Sequence, residues 1–216
     1  MILAIYCAGS FGREIYDVAK RINLTYNRWS NICFVDNFLT GNSFYGAALY
    51  KYSEIADIDE EVEFIIANGE PFVRYELYNQ VKASGYNLTK IIDPTATVSD
   101  TSHIGEGSIV LGYSLIASCA QIGYNVVVQP NSIIGHDIII GDHSVISAGF
   151  LPSGGIEIGE RVFIGMGVIT KEKIKIGNDS IIGMGSVVYS DIGEGLIALG
   201  NPARVMRKNE NKRIFK

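Results

Sequence analysis

His136 and Asp137 stand side by side in NSIIGHDIIIGDHSVISAG (131–149), a stretch otherwise built from Ile, Val, Gly and small polar residues. A neutral imidazole can take a proton near neutral pH. An adjacent carboxylate can hold its tautomer and stabilise the cation it becomes. The pair is therefore a candidate general base with its orienting acid. A plainer reading stands beside it: His136 falls at a corner of a repeat, where a solvent-facing side chain is ordinary, and Asp137 falls at a place that favours left-handed backbone. The other two histidines, His103 and His143, occupy different places in the same repeat and point in other directions. A metal site built from the three is not expected. His143 reads as a corner residue and His103 as a strand-edge residue. No Ser-His-Asp or Cys-His pattern suggests a covalent intermediate.

A second chemical signal lies near the start. CAGSFGRE (7–14) follows an apolar run and opens an amphipathic segment. In that setting backbone N–H groups and a helix N-terminus can hold phosphate oxygens. Cys7 stands where a full GxGxxG would have its first glycine. Asp36 follows Gly9 by 27 residues, at the end of the next apolar run, a place suited to ribose or base contact. A tight turn with a surface Asp would look the same.

The elements that must position these residues come in two patterns. From Ile92, every sixth residue is aliphatic up to Val188, with only Pro152 and Thr170 breaking the series. The place two before the aliphatic is often small (Ser108, Ser114, Ala120, Ser132, Ser144, Ser180, Ser186). The place three after it holds Gly, Asn, Asp or His (Gly107, Asn125, Asn131, Asp137, His143, Gly149, Gly167, Asp179, Gly185), the types that tolerate positive φ. Each hexad therefore reads as a short strand and a sharp corner. This pattern resembles the hexapeptide-repeat proteins, whose left-handed parallel β-helix completes one triangular coil in three hexads and stacks coils as a solenoid. Residues 92–190 would supply between five and six coils.

Residues 1–90 alternate strand and helix. ILAIY (2–6), NICFVD (31–36) and VEFIIANG (62–69) read as strands. REIYDVAKRI (13–22) puts Ile15, Val18, Ala19 and Ile22 on one helical face, and 71–85 reads as a helix from Pro71 to a Gly85 stop. The expectation is a small Rossmann-like parallel α/β sheet. The domains are then 1–90, an α/β nucleotide-sugar domain; 91–200, an all-β left-handed β-helix; and 201–216, a loop and basic tail ending in a short helix or frayed end.

The net charge of −5 disfavours nucleic-acid binding. Cys7, Cys33 and Cys119 are widely spaced and odd in number, which suits reduced thiols and a cytoplasmic setting. MILAIYCAG lacks the basic region and cleavage pattern of a signal peptide. The run 109–128 is long enough to suggest a membrane span, but its Gln, Asn, Ser and Tyr follow the hexad beat, so no membrane insertion is expected.

Taken in order, CAGSFGRE, FVDN, IIANGEPFVR, DPTATV, IIGHD and GNPARV resemble the bacterial sialic acid O-acetyltransferase and nucleotide-sugar 4-N-acetyltransferase family along almost the whole chain. The resemblance implies a homotrimeric, acetyl-CoA-dependent transferase with active sites between neighbouring β-helices. It implies that Gly9, Ser10, Phe11, Gly12, Asp36, Asn68, Gly69 and Arg74 hold the nucleotide-sugar. It makes His136 the general base and Asp137 its orienting carboxylate, with no metal. It places Asn201, Pro202, Ala203 and Arg204 of GNPARV beside coenzyme A, where a backbone N–H of Gly155 or Gly165 would polarise the thioester carbonyl. The chain departs from the family at three places: Phe11 and Val145 stand where histidines are common, and Gln129 where asparagine is.

The first functional reading is N-acetylation of the 4-amino group of a UDP- or dTDP-linked amino-dideoxy sugar for surface glycan synthesis. Alternatives are O-acetylation of sialic acid or another hydroxyl acceptor, a non-catalytic trimeric scaffold, and a metal-dependent carbonic anhydrase.

Overall fold

The computed structural model describes residues 1–214; Phe215 and Lys216, the last of the basic tail, lie outside the described residues. β1 (Ile2–Tyr6) is buried along its whole length and pairs in parallel with β2 (Asn31–Val35) on one side and β5 (Val62–Ile66) on the other. A central strand covered on both faces needs apolar residues at every position. Alternate residues of β1 accordingly enter two separate cores, Leu3 and Ile5 with helix α1 (Ser10–Tyr26), and Ile2, Ala4 and Tyr6 on the other face. β4 (Ala47–Tyr50) extends the sheet next to β2, and β6 (Asn87–Leu88) next to β5, after α2 (Pro71–Ala83). At the edge, β3 (Ser43–Phe44) pairs with β4 in antiparallel fashion. The sheet is thus mixed rather than purely parallel: the sequence between residues 43 and 50 lacks the length of apolar run that marks the central strands.

From Ile91 the chain winds as a β-helix of two-residue strands on three faces. On the first face Ile91, Ile109, Val127, Val145, Phe163 and Ile181 stand one above another, eighteen residues apart. The hexad aliphatics from Ile104 onward form one continuous core. Corner residues take positive φ, among them Asn125 (54°), Asn131 (59°), Asp137 (58°) and His143 (63°). The serines do more than fit. Ser144 Oγ donates to the Gly159 carbonyl at 2.8 Å and accepts from Val162 N–H at 3.0 Å, and Ser108 bonds its neighbouring coil in the same way. On the second face, strands at 97–134 and 151–188 form separate sheets. The division falls at Pro152, which has no N–H to give the ladder.

The run 109–128 forms four of these short strands. No helix among the described residues is long and apolar enough to cross a membrane.

After Gly200, where a loop and a short helix or frayed end are expected, the chain forms a hairpin. Leu196–Gly200 joins the first face beside Ile181–Ile182, and Ala203–Lys208 folds back on it antiparallel. The two parts of the chain share a core: Ile15, Val18 and Ile22 of α1 pack with Ile109, Leu111, Val127 and Val145 of the β-helix.

Candidate active site

The carboxyl ends of β1, β2 and β5 converge where the strand order turns back on itself, the place where open α/β sheets bind ligands. A cavity of 650 Å³ opens there. It is lined by Gly9, Ser10, Phe11, Asp36, Asn68 and Gly69, six of the eight residues assigned to the nucleotide-sugar. Gly9 caps α1 without a side-chain bond, and no acidic residue occupies its first turn. The leading N–H groups have no partner within the helix and offer an anion site.

Asp36 takes N–H groups from Ala8 at 3.0 Å, Phe38 at 2.8 Å and Leu39 at 3.1 Å. Burial alone would raise its pKa; these N–H donors and Lys51 bring it below the usual carboxylate value. It is therefore an ionised strut that shapes the cavity rim. Phe38, on that rim, is 93% exposed. Sequence reading passed over it because a lone aromatic in a polar loop carries no periodicity.

Two of the expected residues, Gly12 and Arg74, do not line the cavity. Gly12 does not line the cavity; a Cβ there would meet the Cys7 carbonyl oxygen at 2.4 Å, so its role is to let α1 pack on β1. Arg74 is fully buried beneath the cavity. Its guanidinium donates to the carbonyls of Asn125 (2.9 Å), Ile66 (2.5 Å) and Asn68 (3.1 Å) and to Asn125 Oδ1. It ties the loop at 66–68 to a β-helix corner. Asn125, its amide thus oriented, places Nδ2 3.0 Å from His143 Nδ1. His143 is the left-handed corner residue expected, and it is also buried against the rings of Tyr75 and Tyr78. Burial, with Arg74 and Arg161 nearby, lowers its pKa to about 4.

Gly69 also lines a second cavity, of 240 Å³, on the β-helix. Gln129, Val145, Ser147, Phe163, Gly165, Met166 and Met184 complete it. Two of the three departures noted in the sequence, Gln129 and Val145, meet here, while Phe11 lines the first cavity.

His136 lies elsewhere. It follows the second-face strand Ile133–Ile134, whereas Gln129, Ser147 and Gly165 follow first-face strands. It lines neither cavity. Its Nδ1 is 2.7 Å from Asp137 Oδ2, and its side chain is 71% exposed. Gly154, one coil further on, covers the ring: a Cβ there would stand 2.9 Å from Cε1 and 3.0 Å from Nε2. The N–H of Gly155 is spent on the His136 carbonyl and that of Gly165 on the Ile182 carbonyl, at 3.3 and 2.8 Å. Neither is free to polarise a thioester, because both belong to the ladder between coils. The turn at 200–204 sits at the top of the corner that carries Gly165 and Gly183; a Cβ on Gly183 would meet Leu199 Cβ at 2.7 Å. There Arg204 is exposed, and its guanidinium donates to the Ala203 carbonyl at 3.2 Å.

Residues 2–81 match the family model described as PglD N-terminal domain, and residues 155–190 match Bacterial transferase hexapeptide (six repeats). Among solved structures, the acetyltransferase domain of PglB from Neisseria gonorrhoeae FA1090 is 26% identical over 95% of this chain and 99% of that chain, with a TM-score of 0.88; the same domain is known in complex with acetyl coenzyme A. WeeI from Acinetobacter baumannii AYE is 27% identical over 95% of this chain and all of its own (100%), with a TM-score of 0.89. PerB from Caulobacter crescentus, in complex with CoA and GDP-perosamine, shares the fold at 23% identity over 96% of this chain and 98% of its own, with a TM-score of 0.88. A search of the curated proteins found no match.

Proposed function

Because the chain belongs to the PglD-type hexapeptide-repeat acyltransferases, we propose that it moves an acetyl group from acetyl-CoA to the 4-amino group of a UDP- or dTDP-linked amino-dideoxy sugar. The observation that carries this reading is the pair of cavities that share Gly69 in their walls. One has the helix N-terminus and acidic strut suited to a nucleoside diphosphate; the other lies beside it on the acyltransferase repeat. The diphosphate rests on the first turn of α1, and Phe38 offers its exposed ring to the base.

The amine attacks the thioester carbonyl. His136 Nε2 takes its proton while Nδ1–H stays on Asp137, and the imidazolium returns a proton to the departing coenzyme A thiolate. Gly154, whose N–H makes no hydrogen bond among the described residues, is the backbone donor that flanks the imidazole. Asn201, Pro202, Ala203 and Arg204 take the coenzyme.

His136 and the cavities occupy different corners of one β-helix, so the site needs a second copy. The second face between those corners exposes Leu115, Ile133, Leu151 and Ile169 in one stripe, the kind of apolar strip that marks an interface. Three copies that turn this face to a common axis bring the His136 corner of each against the cavity corner of the next. Soluble acetyl-CoA and nucleotide-sugars, and free cysteines, support the reading of a cytoplasmic homotrimer that acts in surface glycan synthesis.

The test is thiol release from acetyl-CoA with UDP- and dTDP-linked 4-amino-4,6-dideoxy sugars, on wild type and His136→Ala. Turnover lost in the variant supports the reading. A base-labile ester product would replace the amine by a hydroxyl acceptor; no turnover and no coenzyme A binding would leave a scaffold.

A further inference from the structure

We propose that the 240 Å³ cavity is an acyl-chain pocket that takes propionyl and butyryl thioesters as readily as acetyl. This rests on the acyltransferase reading above and extends it to the donor.

Position is the first ground. The cavity shares Gly69 with the nucleotide cavity. It lies along the corner that runs from Gln129 through Ser147 and Gly165 toward the 200–204 turn. It is the space in which a donor held at that turn and an acceptor held in the nucleotide cavity must meet.

Chemistry is the second. Gln129 Oε1 accepts from Ala148 N–H at 3.3 Å, which leaves its Nε2 donors unused. Among the described residues the Ser147 hydroxyl makes no hydrogen bond, although the residue is only 4% exposed. Two donors on one wall suit a single carbonyl oxygen. The remaining side chains, Val145, Phe163, Met166 and Met184, present only apolar surface. A sugar edge pressed there would leave hydroxyls unpaired, whereas an alkyl chain would gain burial. The volume exceeds what the methyl of an acetyl group fills, and methionines adapt their shape to chains of different length.

The experiment measures binding first, which needs no acceptor. The full chain is titrated calorimetrically with coenzyme A and with acetyl-, propionyl- and butyryl-CoA. The longer thioesters are expected to bind at least as tightly as acetyl-CoA. Butyryl-CoA at least 10-fold weaker would overturn the proposal, since a pocket that rejects a methylene does so by about 10-fold or more. Met184→Trp, at a position 73% exposed and so tolerant of bulk, narrows the cavity. It should shift the butyryl-to-acetyl preference by about 10-fold or more toward acetyl. A shift in preference among acceptor sugars, with thioester preference unmoved, would assign the cavity to the sugar and sink the proposal. Failure of all four ligands to bind would remove the acyltransferase reading itself, a result distinct from acetyl-CoA binding alone.

Discussion

Nδ1 of His136 lies 2.7 Å from Oδ2 of Asp137, the next residue in the chain. Side chains of consecutive residues in a strand point to opposite sides. Here the left-handed corner at Asp137, with φ of 58°, lets them meet. His136→Ala is expected to lower kcat by about 10² to 10⁴. Asp137→Asn should fall between, because an amide oxygen can hold Nδ1–H but cannot stabilise the imidazolium. Steady-state thiol release checks both, with the acceptor KM of each variant close to wild type.

Gly154 tests the fit above the imidazole. In Gly154→Ala the new methyl would meet the ring at 2.9 Å. The ring must swing away, and a displacement of this size costs about 10²-fold in rate. The denaturation midpoint should hardly move, because His136 is exposed and free to turn.

Arg74 gives the opposite pattern. Arg74→Ala strands three carbonyls and the Asn125 side-chain oxygen at the junction. The expected loss is about 3–5 kcal/mol, since each buried oxygen left without a donor costs about 1–3 kcal/mol. Arg74→Lys should not restore it, since one ammonium cannot reach partners arranged for a planar fork. Urea unfolding of the three proteins distinguishes this from an effect on substrate binding.

His143 carries a pH signature. Its folded pKa, about 4, lies below the ordinary 6.5, so the unfolded chain binds the proton first. Its contribution to stability is complete above pH 6.5 and is lost as pH falls toward 4, by up to about 3 kcal/mol. Asp36, Asp93 and Asp179, held below the usual carboxylate value, lose their contribution at lower pH. Urea midpoints between pH 7 and 4.5 should therefore slope in wild type and flatten in His143→Gln.

The apolar stripe predicts assembly. Ile133→Glu combined with Ile169→Glu adds charges to the exposed second face without entering the core. Sedimentation should shift from trimer to monomer, and thiol release should fall with it, because His136 then no longer meets a neighbour's cavity.

What the sequence determined alone is whatever repeats locally. A six-residue step with a corner residue tolerant of positive φ leaves one way to wind, and Asn125, Asn131, Asp137 and His143 could be placed on corners from their types. The turn at Gly9 was legible for the same reason, as a local signal between a strand and a helix. Tertiary structure decided which corner faces what. Arg74 and Asp36 are both charged residues near a predicted strand or helix end; only the packing of α2 on the β-helix makes one a buried clamp and leaves the other on a cavity rim. Likewise Gln129 and Val145 lie sixteen residues apart in the chain and meet Gly69 only because the two parts share a core. Such contacts depend on long-range packing, in which burial and hydrogen bonding override what any residue type prefers by itself.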